Sequence, residues 1–192
     1  ELWTRDIDHF APDWLLTALN ERTGSSLDSI RATTLRSYEG IAFERMTDVG
    51  ATRWILPLGV YHRTRRSFGQ QYCPVCLATD EAPYLRLHWR LALAVICTNH
   101  GVLLRDRCGE CGRALAPHRA NPLRIGGYRE RAQIRYCGHC GADLAGHGDV
   151  ASPEDLALQR HVDQTLLDGY CMLGESFVYS HRYFDGLRQL LF

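Results

Sequence analysis

The sequence predicts an α+β protein in which small β-hairpin modules are flanked by α-helices at both ends of the chain. Helix signals lie in residues 1–51 and 149–192, whereas paired cysteines and turn residues lie in residues 52–148. These limits are the predicted boundaries of an N-terminal helical region, a central double module and a C-terminal helical region. The composition, 45% hydrophobic and 23% charged, is that of an ordinary globular protein. It excludes a disordered or low-complexity chain.

The N-terminal region predicts two short helices around a tight turn. The first covers residues 10–22, with Pro12 near its start and Gly24 after its end. Its predicted inner face consists of Trp14, Leu15, Ala18 and Leu19. Ser25 or Ser26 caps the second helix, whose predicted inner residues are Leu27, Ile30, Thr34 and Tyr38. Such a pair is either a helix-turn-helix DNA reader or a plain helical hairpin. The second helix carries only two arginines, which favours the hairpin.

The C-terminal region predicts two more helices. Ser152, Pro153 and Asp155 supply a helix start, with a capping hydroxyl, a proline in the first turn and an acid at the third position. The helix is expected to end near residue 173, before Gly174. Its predicted inward residues are Leu158, Val162, Thr165 and Leu166, and a last helix from about residue 181 buries Tyr183, Phe184, Leu187 and Leu191. Because it begins at Glu1, we expect the chain to be a piece of a longer protein.

The eight cysteines indicate metal chemistry. Six form three C-x-x-C units, at residues 73–76, 108–111 and 137–140, and residues 97–100 form a C-x-x-H unit. Two intervening residues let one tight turn present both side chains to one ion, and two such turns complete a tetrahedral zinc site. In chain order the ligands are Cys73, Cys76, Cys97 and His100 for site one, and Cys108, Cys111, Cys137 and Cys140 for site two. An interleaved pairing, with the first unit sharing an ion with the third, is the alternative.

These units predict two structural Zn²⁺ ions that hold zinc-ribbon-like hairpins together. One hairpin has the C-x-x-H unit as its turn and Gly101 at the left-handed position, after an alternating strand in residues 85–91. Residues 114–133 form an excursion between the halves of site two. Cys171 stands apart from the units and is expected to be a small buried hydrophobic residue.

Catalysis is not predicted. Residues 137–140, Cys-Gly-His-Cys, match a thiol–disulfide oxidoreductase motif, but such a motif opens a helix, and Gly141 and Asp143 follow here. Two complete ligand sets leave no open position for the water that a catalytic zinc needs. A thiol-redox or metal-dependent enzyme is therefore the least favoured alternative. No apolar run approaches a membrane span, and nothing suggests export to an oxidising compartment.

The zero net charge conceals an uneven distribution. All 22 basic residues are arginines, and residues 52–136 hold 14 of them with five acids. Arginine suits bidentate phosphate contacts, and the candidate nucleic-acid contacts are Arg63, Arg65, Arg66, Arg86 and Arg90. The alternative is that these side chains solvate loops of a protein that uses no lysine.

The order of these motifs resembles the TniQ family, whose members are accessory proteins of bacterial DNA transposition. The resemblance is carried by Tyr-Cys-Pro-Val-Cys-Leu at 72–77, Pro-Tyr-Leu-Arg-Leu-His-Trp-Arg-Leu at 83–91, Cys-Thr-Asn-His-Gly-Val-Leu-Leu at 97–104 and Cys-Gly-Glu-Cys-Gly at 108–112. It is looser in the N-terminal helices and in residues 152–192. The resemblance also implies that the eight cysteine and histidine side chains named above are the zinc ligands.

The resemblance implies a non-catalytic targeting adaptor in the bacterial cytoplasm. Such adaptors bind DNA or link a target-recognition component to an AAA+ ATPase that recruits the transposase. In CRISPR-associated transposons the recognition component is an RNA-guided effector. The implied partners are therefore DNA, the ATPase and a recognition complex, with no membrane and no small-molecule substrate. The alternative is a general DNA- or RNA-binding zinc-finger protein outside transposition.

Overall fold

The structure is a computed structural model that describes residues 6–47, 50–58, 68–115 and 134–191. It has two compact units. The central unit is Leu56–Gln159, and the helical unit is Thr4–Ile55 together with Arg160–Phe192. Helices are combined with short two-stranded antiparallel sheets, so the predicted α+β class is confirmed. The predicted boundaries after residues 51 and 148 stay predictions.

Two short helices open the helical unit, as the sequence predicts. Helix α1 is Asp13–Thr23 and helix α2 is Leu27–Ala32. Gly24 ends α1 in a left-handed conformation, with φ of 70°, and its amide donates to the Asn20 carbonyl. Ser26 caps α2 by accepting a hydrogen bond from the Ser29 amide. Both boundaries therefore follow from local capping chemistry.

The predicted inner face of α1 is wrong. Leu16 is its buried residue, whereas Trp14 is 62% exposed. The second predicted helix is not continuous either. Helix α2 ends at Ala32, and a separate 3₁₀ helix, Leu35–Tyr38, follows. Thr34 and Leu35, which join the two, are both buried. In a helix of so few turns, hydrophobic periodicity locates the buried residues only to within one position. Tertiary packing determines which residues are buried.

The C-terminal part of the helical unit contains a hairpin that the sequence reasoning missed. Helix α4, Pro153–Asp168, ends at Gly169, which has φ of 77°. Strands β3, Tyr170–Leu173, and β4, Ser176–Tyr179, pair antiparallel before helix α5, Ser180–Leu191. The prediction that α4 continues to about residue 173 is therefore wrong. The predicted start is confirmed, since the Ser152 hydroxyl accepts the Asp155 amide at 3.0 Å.

The two faces of the β3–β4 hairpin differ in burial. Cys171 points inward and is 6% exposed, as predicted for a small hydrophobic residue. The opposite face carries Tyr170, Met172, Phe177 and Tyr179, each between 41% and 59% exposed. Tyr170 and Phe177 stack across the strands with ring centroids 4.8 Å apart. The hairpin therefore presents an aromatic, uncharged surface.

The central unit consists of short elements around its cysteines. Helix α3 is Pro74–Thr79, and strands β1, Ile96–Cys97, and β2, Val102–Leu103, pair as a hairpin. The predicted hairpin at the C-x-x-H unit is confirmed. The predicted alternating strand at residues 85–91 is wrong, because a 3₁₀ helix, Leu87–Arg90, occupies it. Consecutive burial of Trp89, Arg90 and Leu91 is incompatible with the alternating faces of a strand.

Across the described residues, no helix combines the length and the apolar character needed to cross a bilayer.

Candidate metal centres

The structure brings the eight predicted ligands together in two groups of four. Within each group the Sγ atoms, and the ring nitrogen of histidine in site one, all lie within 4.8 Å of one another. The groups are Cys73, Cys76, Cys97 and His100 for site one, and Cys108, Cys111, Cys137 and Cys140 for site two. This grouping follows chain order. The interleaved pairing does not match the structure.

Three of the four units share one backbone design. In each, a glycine directly after the second ligand donates its amide to the carbonyl of the first ligand, at 2.7 Å for Gly101, 2.9 Å for Gly112 and 2.9 Å for Gly141. These glycines have φ of 64°, 64° and 75°, a region that residues with a Cβ rarely adopt. The glycine therefore closes a turn that points both ligands to the same side.

The first unit is built differently, as the start of helix α3. Cys73 is the N-cap, and its Sγ accepts the Cys76 amide at 3.4 Å. Pro74 occupies the first helical position, where no amide is needed. One helical turn then places both sulfurs on the same side. Site one therefore combines a helix N-terminus with a hairpin turn, whereas site two combines two glycine turns.

The distances in site one match a tetrahedral zinc ion. Zn–S bonds of about 2.3 Å and Zn–N bonds of about 2.0–2.1 Å place tetrahedral S···S pairs about 3.8 Å apart and S···N pairs about 3.5 Å apart. The Sγ atoms of Cys76 and Cys97 are 3.6 Å apart. The Nδ1 atom of His100 lies 3.7, 3.3 and 3.5 Å from the sulfurs of Cys73, Cys76 and Cys97. Nδ1 is thus the nitrogen that faces the ion.

Site two has the same dimensions with four sulfurs. The Sγ atoms of Cys108 and Cys140 are 3.7 Å apart, and those of Cys111 and Cys137 are 3.8 Å apart. Soft thiolate ligands in a closed tetrahedral set are typical of structural zinc. Both donor sets therefore fit one zinc ion each, held by all four side chains.

The electrostatics of site one favour a divalent cation. A hydrogen bond shared with Cys73 lowers the pKa of Cys97 to about 4. The same hydrogen bond raises the pKa of Cys73, and burial raises that of Cys76 to about 11. Burial and the shared hydrogen bonds therefore disfavour ionisation of Cys73 and Cys76. Deprotonating these two thiols requires a compensating positive charge, which Zn²⁺ supplies.

The sites differ in exposure. In site one, Cys73, Cys76 and Cys97 are at most 4% exposed. In site two, Cys140 is exposed and Cys111 is half-buried. Solvent, chelators and oxidants therefore reach site two more readily, through Cys140 and Cys111.

One hydrophobic core contacts both sites. It includes Tyr72, Leu77, Trp89, Val102 and Leu144 together with ligands of both groups. Tyr72 exchanges two backbone hydrogen bonds of 2.9 Å with Arg105, and its hydroxyl donates to the Arg107 carbonyl at 3.2 Å. The segment that leads into site one thus pairs with the segment that leads into site two, so the sites belong to one packing unit.

The chain returns from site two to the hairpin of site one, a feature that the sequence reasoning missed. The Gly146 amide donates to the Pro74 carbonyl at 3.1 Å, and the Leu103 amide donates to the Asp149 carbonyl at 2.8 Å. Gly148 lies directly against Val102, so closely that a Cβ at residue 148 would fall 2.6 Å from the Val102 Cβ. The closely spaced glycines are the signal that was available, since glycine marks close backbone approach.

The structure places Arg90 inside the central unit. It is 1% exposed, and its guanidinium donates to the Leu56 carbonyl at 3.0 Å. The prediction that Arg90 contacts nucleic acid does not fit this burial, because a phosphate would have to displace packed protein.

Arg86 is directed toward site one. Its guanidinium donates to Asp80 at 3.0 Å and lies over the Trp89 ring, 4.9 Å from the centroid. Its side chain is 15% exposed, and its positive charge opposes the burial effect on the pKa of Cys76. Arg86 therefore lies close to the sulfur of Cys76, and little of its side chain is accessible to a phosphate.

The remaining candidate contacts, Arg63, Arg65 and Arg66, lie outside the described residues, as do residues 116–133 of the predicted excursion. Other arginines of the basic stretch pair with acids. Arg135 donates to Asp143 at 2.8 Å, and Arg105 lies 3.6 Å from Asp149. Both acids follow residue 136, after the end of the basic stretch. Folding thus neutralises some of the charge separation that the sequence shows.

Comparison with known families matches residues 1–104 to TniQ, which is more than half of the 192 residues. The match covers the N-terminal helices, where the motif resemblance is loose, and all four side chains of site one; it ends before Cys108. No curated protein matches the chain. The family is one of non-catalytic adaptors associated with transposition. We conclude that the chain belongs to the TniQ family.

Proposed function

We propose that the protein is a targeting adaptor of bacterial DNA transposition, stabilised by two structural zinc ions. The observation that carries the proposal is the family match over residues 1–104, which includes a complete tetrahedral ligand set. In this proposal the adaptor connects a target-recognition component, such as an RNA-guided complex or another DNA-bound protein, to an AAA+ ATPase. It acts in the bacterial cytoplasm, and DNA is a further partner.

The two tetrads support a scaffolding role for the metal. A structural zinc site contributes on the order of 10 kcal/mol to folding at neutral pH. The strands of the central unit are two residues long, so they offer few hydrogen bonds of their own. Zinc at both sites would hold the shared core and fix the surface that partners contact.

The exposed face of the β3–β4 hairpin supports contact with proteins. Protein interfaces are enriched in tyrosine, phenylalanine and methionine and depleted of charge, and this face carries Tyr170, Met172, Phe177 and Tyr179. An adaptor requires at least one surface of this kind. The arginines of the basic stretch support the DNA contact, although Arg86 and Arg90 are committed within the central unit.

The test is binding of the zinc-loaded chain to the purified AAA+ ATPase of the same transposon, with and without a duplex. Cys108→Ala removes a buried ligand of site two and is expected to abolish ATPase binding. Cys171→Ala removes a buried cysteine outside both sites and is the matched control, expected to retain zinc and binding. A Cys108→Ala protein that is folded and binds the ATPase as tightly as the wild type would refute the proposal that zinc at site two stabilises the adaptor.

A salt titration by fluorescence anisotropy separates the DNA role from the protein role. A duplex bound through phosphates weakens with a log–log slope of roughly −0.9 per contact. If the chain binds the ATPase but does not bind the duplex at about 50 mM salt, its role is that of a protein–protein adaptor without DNA contact. Duplex binding with no ATPase binding would favour the general nucleic-acid-binding alternative.

A further inference from the structure

Arg86 is a mostly buried cation beside site one, and one of its nitrogens has a hydrogen to donate. Its Nη2 atom donates to the Asp80 carboxylate at 3.0 Å. Its Nη1 atom is buried and has no hydrogen-bond partner among the described residues. Buried donors are satisfied in the great majority of native structures. The Nη1 group therefore has an N–H available for a nearby acceptor.

Three contacts hold Arg86 close to Cys76. The first is the ion pair with Asp80, which ends helix α3 one turn after Cys76 and donates its amide to the Cys76 carbonyl at 2.9 Å. The other two are the rings of Tyr84 and Trp89, whose centroids lie 4.7 and 4.9 Å from the guanidinium carbon. Trp89 is fully buried and shares the hydrophobic core with Cys76. The position of the guanidinium is therefore tied to the helix and the core that position this ligand.

The positive charge of Arg86 acts on the sulfur of Cys76. Burial raises the pKa of the Cys76 thiol, and the charge of Arg86 opposes that effect. A charge that favours the thiolate favours the form that binds zinc. Three thiolates and a neutral imidazole around Zn²⁺ carry a net charge of −1, and a cation beside one of the sulfurs lowers the cost of holding that charge in the core.

We infer that Arg86 stabilises the zinc-bound thiolate of Cys76 by supplying its Nη1 N–H and its positive charge to the sulfur, and that Asp80 positions Arg86 for this role. A thiolate bound to zinc keeps lone pairs that accept hydrogen bonds. Outer partners of metal ligands typically change metal affinity about 10–100-fold. The inference depends on zinc at site one, and it involves neither the ATPase nor DNA.

Site two provides a comparison within the same chain. The arginines close to its ligands in sequence make exposed contacts: Arg113 donates to the His139 ring at 3.3 Å, and Arg135 donates to Asp143 at 2.8 Å. Solvent screens charges at the surface, so these arginines act less strongly on nearby sulfurs than a buried one does. The effect of losing Arg86 is therefore expected to be confined to site one.

The test compares variants of the full chain loaded with metal. Arg86→Met removes the charge and the N–H groups but keeps an unbranched apolar stem against Trp89. Arg86→Lys keeps the charge, and Asp80→Asn keeps the shape of the positioning side chain without its charge. Arg182→Met, which breaks an exposed ion pair with Glu44 in the helical unit, is the matched control. Urea unfolding establishes that each variant is folded.

The first readout is the zinc affinity of each site. Cysteines are alkylated with N-ethylmaleimide at increasing chelator concentration, and peptide mass spectrometry separates the sites because zinc protects its own ligands. Arg86→Met is expected to weaken zinc binding at site one by about 10–100-fold and to leave site two unchanged. We expect Asp80→Asn to change site one in the same direction, Arg86→Lys to retain most of the affinity, and Arg182→Met to match the wild type.

The second readout distinguishes a direct effect on the sulfur from a general loosening of the fold. With Co²⁺ in place of zinc, the sulfur-to-metal charge-transfer band moves to longer wavelength when a thiolate loses a hydrogen bond or a nearby positive charge, whereas the d–d bands report tetrahedral geometry. Arg86→Met is expected to shift the charge-transfer band to longer wavelength while the d–d bands stay in place, and Arg86→Lys is expected to shift it less.

Two results would overturn the inference. One is a folded Arg86→Met protein with the charge-transfer band and the site-one affinity of the wild type. The other is an Arg86→Lys protein as impaired as Arg86→Met, because the positive charge would then not be what acts on the sulfur. If Arg86→Met does not fold, Asp80→Asn takes its place, and an unchanged band and affinity in that variant would also overturn the inference. The proposed adaptor function can fail or succeed separately, since neither readout uses the ATPase.

Discussion

Gly148→Ala tests whether the return segment, residues 146–151, links the two metal sites in one packing unit. Gly148 is not in the left-handed region, so an added Cβ costs nothing through backbone conformation. It would lie 2.6, 2.8 and 3.0 Å from the three side-chain carbons of Val102, which is 5% exposed and part of the core of both sites. Separations this short force the return segment to move away from β2.

The expected cost combines two effects. Overpacking a core costs about 1–3 kcal/mol. Displacing the return segment also weakens the hydrogen bonds from Leu103 to Asp149 and from Ala151 to Gly101, which are 2.8 and 2.9 Å long and are each worth about 1 kcal/mol. We therefore expect a loss of about 2–4 kcal/mol, or about 5–15 °C in Tm for a chain of this size.

The assay is urea unfolding of the zinc-loaded protein, with the rate of zinc transfer to a chelator as a second readout. Gly109→Ala is the matched control, because Gly109 lies within a site-two turn and an added Cβ there meets nothing within 4 Å. We expect Gly148→Ala to release zinc faster and Gly109→Ala to resemble the wild type. A Gly148→Ala protein within about 0.5 kcal/mol of the wild type would refute the argued packing.

Three further predictions follow from single residues. Zinc binding at pH 7 is expected to release protons, because a hydrogen bond with Cys97 raises the pKa of Cys73, burial raises that of Cys76, and both effects favour the protonated thiols before the metal binds. The zinc affinity should therefore rise with pH. Calorimetry in buffers of different ionisation enthalpy measures the proton release, and none would contradict the prediction. Gly186→Ala is expected to stabilise the protein by about 0.5–1 kcal/mol, since Gly186 lies within α5 and an added Cβ meets nothing; a lower Tm would contradict it. Arg90→Met is expected to destabilise the fold by about 1–3 kcal/mol, because the half-buried Leu56 carbonyl loses its donor. The salt slope of duplex binding is expected to stay unchanged. A smaller slope in a variant that is equally well folded would show that Arg90 contacts phosphate.

The sequence predicts what depends on short-range chemistry. The C-x-x-C and C-x-x-H spacings indicate which side chains converge, and the glycine after each of three units indicates the turn that brings them together. The helix starts at Ser26 and Ser152 were predictable for the same reason, because a capping hydroxyl acts within three residues. The family resemblance rests on these same local motifs.

Long-range packing limits the rest of the prediction. Burial of Arg90 depends on the Leu56 carbonyl, which is 34 residues away, and no local pattern reveals such a partner. In the prediction from sequence, residues 170–173, which form β3, belong to the end of α4, and residues 176–179, which form β4, belong to no element. Two features distinguish the β3–β4 hairpin in hindsight: Gly169 and Gly174 bracket β3, and residues 176–179 are rich in β-branched and aromatic side chains.

The separation between the two halves of site two has a consequence for sequence variation. Cys111 and Cys137 are 26 positions apart, while their glycine turns and the common core fix both ends of the intervening chain. The entropy of closing such a loop grows only with the logarithm of its length, about 0.6 kcal/mol for each doubling. Because the two glycine turns and the common core fix Cys111 and Cys137 at both ends, the ligand geometry of site two is expected to depend little on the number of residues between them.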